Sequence, residues 1–201
     1  MDKVKQLPEG QPGLRFLEKE EIIRLVEACS DRVRPVVEVA LNTSMRRGEI
    51  VGLKWSAVDF RRGLISLYLT KNNEQRIIPM NNTVRGILAK LREDSTTEEV
   101  FDTRGLREDF SRALKCAKIF ECRFHNLRHT FASQLVMSGV DLVTVKELLG
   151  HKSIKMTMRY AYLSQDHKMK AGETLGSAIA TNKAPSEEIE KLEKALNVVT
   201  H

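Results

Sequence analysis

Apolar residues in "FLEKEEIIRLVEAC" fall at Leu17, Ile22, Leu25, Val26 and Cys29, a spacing that predicts a helix with one core-facing stripe. "RVRPVVEVALNT" predicts a second helix, with Pro35 in the first turn where a missing N–H is tolerated. "RRGEIVGLKWSAVDF" reads as a short helix and a turn. "GLISLYL" and "RIIPM" are β-rich and alternating, and the polar "KNNEQ" between them predicts a β-hairpin, the only clear sheet signal. From Asn81 the pattern is helical: "NNTVRGILAKLRE" with an Asn cap, "LREDFSRALKCAKI", then "HNLRHTFASQLVMSG" and "DLVTVKELLG", each closed by glycine. The expected fold is therefore mainly α with a small antiparallel β-sheet, an α+β class.

The two ends read differently from the middle. Residues 1–13, with Pro8, Gly10, Pro12 and Gly13, read as an extended linker. Residues 14–180 are expected to form one domain. Residues 181–201 read as the linker "TNKAP" and a last helix, "SEEIEKLEKALNVV". That helix opens on a capping-box-like Ser186 and carries Ile189, Leu192, Leu196 and Val199 on one face. Such a stripe needs a surface to cover, on its own domain or on a neighbour.

Composition narrows the partner. With 41% hydrophobic residues, the 201-residue chain can bury a core of ordinary size. Lys and Arg number 33 against 27 Asp and Glu, a net charge of +6 that favours a polyanion, nucleic acid first among them. The excess is concentrated: residues 121–170 hold 8 Lys or Arg against 4 acidic residues, while 181–201 hold 3 against 4. The 3 cysteines, Cys29, Cys116 and Cys122, form no CxxC pair and suggest neither a disulfide framework nor a zinc ribbon. A reducing cytoplasm fits them best. No apolar run reaches the roughly 20 residues of a membrane span, and the first residues lack the apolar centre of a signal peptide.

Candidate chemistry lies within the basic part. In "HNLRHT", His125, Arg128 and His129 stand at i, i+3 and i+4, so the imidazole of His125 and the guanidinium of Arg128 share a helix face. A solvated basic face is the plain alternative. A zinc site on His125 and His129 is disfavoured, because Asn126 stands where HExxH has its glutamate. In "NTSMRRGEI", Glu49 lies three positions after Arg46 and can brace its guanidinium for an oxyanion. "LGHKSIKMTMRYAY" places His151 after a glycine stop, with Tyr160 nine positions later and Tyr162 two beyond that. Alone, a tyrosine there reads as packing.

Taken together, these segments resemble the tyrosine recombinase, or phage integrase, family. "TSMRRGEI" is similar to its first arginine box, "HNLRHTFAS" to its His-x-x-Arg box, and "LGHKSIKMTMRYAY" to its box of histidine and nucleophilic tyrosine. Their order matches the family's, as does the nine-position step from His151 to Tyr160. The family's hairpin lysine falls at Lys71 in "TKNNEQRIIPM", with Arg76 as a basic rival. The likeness runs from about Phe16 to about Lys170 and spans the family's catalytic domain; no counterpart of the DNA-binding domain that usually precedes it is seen. Ser44 stands where the family commonly has glycine, and Arg47 beside Arg46 makes the first box ambiguous by one position, which the spacing to Glu49 resolves in favour of Arg46.

The resemblance implies a site-specific recombinase that cleaves and rejoins DNA through a 3′-phosphotyrosyl intermediate. Tyr160 would be the nucleophile, His125 its base, Arg46 and Arg128 the phosphate clamp with Glu49 in support, His151 a further donor, and Lys71 the acid for the 5′ oxygen. Neither cofactor nor metal is implied. Double-stranded DNA is the partner, four protomers assembling on two duplexes, with the C-terminal segment docking in trans. Location in the cytoplasm with the nucleoid, in a bacterium or from a phage, is the matching expectation. Two rivals are a non-catalytic DNA-binding regulator, which has no use for a tyrosine in register with His151, and a type IB topoisomerase-like enzyme, which shares the phosphotyrosine step but exchanges no strands.

Overall fold

The structure, a computed structural model, describes residues 14–69, 74–164 and 175. The chain divides into two compact units, Met1–Ala161 and Tyr162–His201. The expected linker over residues 1–13 and the last helix, with Ser186 and its apolar stripe, lie outside the described residues.

Helix α1 (Lys19–Ala28) is closed at its start by Glu21, whose carboxylate accepts from the Glu18 backbone N–H at 3.1 Å and pairs with Arg15 at 2.7 Å. Helix α2 (Arg34–Thr43) has Pro35 in its first turn and buries Val36, Val37, Val39 and Ala40. Apolar on more than one side, α2 sits centrally and packs on α1, α4 (Asn82–Glu93) and α6 (Phe124–Met137). Leu17, ahead of α1, is fully buried; its N–H donates to Thr130 Oγ1 at 2.9 Å, and Gln134 donates to its carbonyl at 3.2 Å. These bonds fix the start of the domain against α6.

The short α3 (Arg47–Val51) leads to a sheet of three antiparallel strands in the order β1 (Val58–Asp59), β2 (Leu64–Leu69), β3 (Glu74–Pro79). β2 and β3 form the expected hairpin, with Ile65 opposite Ile78 and Leu69 opposite Glu74. Glu74 and Gln75 thus belong to β3 rather than to the turn. β1 had no signal in the sequence, since two residues cannot show an alternation; its pairing with Ile65 and Leu64 defines it.

The remaining helices follow the sequence closely. Asn81 caps α4 by accepting from the Val84 N–H at 2.9 Å. α5 (Leu106–Cys116) packs on α1, α6 on α7 (Leu142–Leu149), and α7 on α8 (Ile154–Thr157). One core joins Leu25, Val36, Ile65, Leu88, Phe110 and Leu127, each such buried side chain contributing about 1.5–3 kcal/mol through its removal from water. Among the described residues, no helix is long and apolar enough to cross a membrane.

Candidate active site

The site begins at the link between α2 and α3. Ser44 has φ 56°, the left-handed region that glycine occupies without strain, which gives a physical reason for the glycine common at this position in the family. Ser44 contributes more than its small size: its hydroxyl donates to the Leu148 carbonyl at 2.8 Å and accepts from Arg76 Nη2 at 2.9 Å. Two residues on, Arg46 forms the N-cap of α3. Glu49 accepts from the Arg46 N–H and from Arg46 Nη1, both at 2.7 Å, so the expected ion pair is present and belongs to Arg46 rather than Arg47.

Glu49 also accepts from Arg76 Nη1 at 2.9 Å, and Arg76 Nη2 donates to the Leu148 carbonyl at 2.7 Å. With its side chain only 8% exposed, Arg76 ties β3 to α3, to the Ser44 link and to the end of α7. The sequence presented it as a rival to Lys71, but both of its terminal nitrogens are engaged inside the protein. Lys71 itself lies outside the described residues. Gly150, at φ 60°, ends α7 against the same guanidinium, and a Cβ there would come within 2.8 Å of Arg76 Nε.

The first turns of α6 carry His125, Arg128 and His129. Asn126, in the place of the HExxH glutamate, serves the helix itself: its Oδ1 accepts from the Arg123 N–H at 2.7 Å and its Nδ2 donates to the Arg15 carbonyl at 2.8 Å. Arg128 is buried and donates to the carbonyls of Ser44 and Leu149. Burial first, then the charges of Arg76 and Arg46, lower its pKa to about 10, so it stays cationic at neutral pH. A guanidinium has more N–H donors than those two bonds use.

Three histidines gather around these cations. Burial lowers the pKa of His125, and the charges of Arg128, Arg46 and Arg159 add to the effect. His151, directly after Gly150, has Nδ1 3.0 Å from the hydroxyl of the fully buried Thr157. Burial and then Arg128, Arg46, Arg159 and Arg76 bring its pKa down to about 4. His129 reaches about 4 as well, through burial and then His125, Arg159, Arg128 and His151. All three are mainly neutral at pH 7.

Tyr160, in the 3₁₀ turn Met158–Ser164, closes the cluster. It is 1% exposed, whereas Tyr162 is 50% exposed, so the two tyrosines of "RYAY" have separate environments. Tyr160 Oη lies 2.7 Å from His129 Nδ1. Sequence reasoning gave His129 no part beyond the disfavoured zinc site and named His125 as the base. The two rings meet edge to face with centroids 4.7 Å apart. Arg159 was also missed, although it directly precedes Tyr160 and its charge acts on all three histidines.

The phage integrase family model matches residues 15–167. The chain belongs to the phage integrase family. The integrase of Salmonella phage P22 is 32% identical over 90% of this chain and 53% of its own length. The catalytic domain of bacteriophage HP1 integrase, 31% identical, superposes with a TM-score of 0.66 over 80% of this chain and 94% of that one. The crystal structure of XerA recombinase, 26% identical, gives 0.69 over 84% and 66%. The chain spans about half the length of the curated relatives it matches, at 53%, 50% and 49% for three of them. The fold of this phage integrase family member is that of a tyrosine recombinase catalytic domain, mainly helical with a small antiparallel sheet.

Proposed function

We propose that the chain acts as a site-specific DNA strand transferase in which Tyr160 attacks a backbone phosphate and forms a 3′-phosphotyrosyl link. The observation that carries this reading is the position of the Tyr160 hydroxyl, 2.7 Å from a histidine nitrogen in a cluster that also holds Arg128, His125 and His151. A merely structural tyrosine needs one partner for its buried hydroxyl but gains nothing from the neighbouring cations. An attacking phenol, with an ordinary pKa of about 10, needs both a proton acceptor and nearby positive charge.

The geometry and the resemblance together support the following division of labour. Arg46, partly exposed and braced by Glu49, and Arg128, held by two carbonyls, grip the non-bridging oxygens as the phosphorus becomes five-coordinate. A Thr157 hydroxyl that donates to His151 Nδ1 leaves Nε2–H to donate to the same phosphate. His125, at the exposed side of the cluster, takes part in proton transfer. Lys71, in the segment joining β2 to β3, delivers a proton to the departing 5′ oxygen. The phosphodiester energy is kept in the tyrosyl link, and the 5′-hydroxyl of a partner strand reverses the attack.

Double-stranded DNA is the substrate in this reading, with protomers assembling on two duplexes. Nucleoid association follows DNA binding. Neither a non-catalytic regulator nor a topoisomerase-like enzyme is favoured by any observation of this structure. The test is a nicked suicide duplex pool with randomised sequence around the nick, analysed on denaturing gels. Wild type forms a covalent adduct, Tyr160→Phe binds without forming one, and Tyr162→Phe retains adduct formation; exchange of the last two results refutes the choice of nucleophile. Adding a second duplex tests strand exchange.

A further inference from the structure

We infer that His129 is a further catalytic residue of this site: its Nδ1 takes the proton of the Tyr160 hydroxyl as that oxygen attacks phosphorus. This rests on the reading of Tyr160 as the nucleophile. The 2.7 Å separation is that of a hydrogen bond, and both groups are withdrawn from bulk water, Tyr160 being 1% exposed and His129 partly buried. With little water at the hydroxyl, a nitrogen already in contact is the nearest place for the proton.

The surroundings select the form of His129 that accepts. Facing it are His125 and Arg128 from α6, His151 from the end of α7, and Arg159 and Tyr160 from the last turn; burial, and then the charges among them, hold the ring neutral. A neutral imidazole has one N–H and one lone pair, so Nδ1 accepts the phenol proton while Nε2 carries the other hydrogen. In the empty site, transfer to so weak a base is strongly uphill. An incoming phosphate brings negative charge against Arg46, Arg128 and Arg159, which favours the imidazolium and makes His129 a better acceptor once the substrate has arrived. Bond changes then balance: the Tyr160 O–H proton passes to His129, the Tyr160 O–P bond forms, and the P–O5′ bond breaks with a proton supplied to O5′. His125, edge-on to His129 and more exposed, lies on the solvent side of the pair.

Two measurements on the full chain test the assignment. Nitrogen-15 NMR of the DNA-free protein should show His129 as the Nε2–H tautomer at neutral pH, with a lowered midpoint that rises in Tyr160→Phe as the bond to the neutral ring is lost. A ring protonated at Nδ1 overturns the proposal. The second measurement is the adduct rate against pH on the same randomised suicide-duplex pool. His129→Ala should be slower at pH 7 by about 100-fold or more. That deficit should narrow toward the ionisation range of tyrosine, near pH 10, and shrink when imidazole is added. His129→Gln, which keeps an acceptor for the hydroxyl but cannot carry the proton away, should be slow as well. A wild-type rate in His129→Gln identifies a positioning role only, and a faster rate in His129→Ala identifies a restraint on the resting tyrosine. Either result overturns the proposal, as does a loss that is the same at every pH. A wild-type chain without adduct, or a Tyr160→Phe chain with one, refutes the nucleophile itself; a Tyr160-dependent adduct that is indifferent to His129 refutes this inference alone.

Discussion

Replacing Glu49 with glutamine removes one negative charge that serves two arginines. The carboxylate takes Arg46 Nη1 on one oxygen, and Arg76 Nη1 together with the Arg46 N–H on the other. An amide offers one acceptor oxygen, so one of the guanidinium groups meets an NH2 donor instead. Arg46, with 44% of its side chain exposed, can turn to water; Arg76, at 8%, cannot. Leaving a buried charge without its counter-ion costs about 3–5 kcal/mol. The lower figure applies here, because Arg76 keeps its bonds to Ser44 Oγ and the Leu148 carbonyl. Glu49→Gln should therefore destabilise the domain by about 3 kcal/mol in urea unfolding followed by circular dichroism, or lower Tm by about 6–12 °C. Adding Arg76→Met to Glu49→Gln should recover part of the loss, since the unpaired charge is then gone. A loss below about 1 kcal/mol, the range of an exposed pair, would show that Arg76 does not depend on Glu49 and refute the reasoning.

Arg46→Ala keeps the fold, since Arg46 is partly exposed, but should slow adduct formation by about 100-fold or more, the cost of one charge-stabilising donor; an unchanged gel-based rate would remove Arg46 from the phosphate clamp. Gly150→Ala meets both an unfavourable φ of 60° and Arg76 Nε at 2.8 Å, so it should cost about 1–3 kcal/mol in the same urea assay, and a neutral effect would contradict the packing described. Stability should also respond to acid. His129 and His151 have folded pKa values near 4 against an ordinary 6.5, so the unfolded chain binds more protons between those values. Their contribution is complete above about pH 6.5 and is lost as pH falls toward 4. Thermal melts should show Tm falling through that window, less steeply in His151→Gln, and an equal slope in that variant would contradict the shift assigned to His151.

The helices were legible in the sequence because their apolar residues recur with one clear period and their ends carry recognisable caps, Asn81 and Gly150 among them. The pairing of Arg46 with Glu49 was legible for the same local reason, a three-residue step within one turn. β1 escaped because two residues have no period. The identity of the tyrosine's nearest partner escaped for a different reason: His125 and His129 are one helical turn apart on the same face of α6, and only the packing of the last turn places Oη on one rather than the other. Arg76 was read as a basic rival to Lys71 because nothing local to β3 reveals that Ser44, Glu49 and Leu148 converge on it from three other parts of the chain.

Arg76 gives β3, Arg46 and Arg128 a common anchor. It projects from β3, and the carboxylate it holds is the one that aims Arg46, while the Ser44 hydroxyl it also holds belongs to the residue whose carbonyl receives Arg128. A displacement of β3 is therefore transmitted to both guanidinium groups at once, as in a linkage with a single pivot. In the proposed reaction, the strand that follows Lys71 and the two arginines that grip phosphorus would share that pivot.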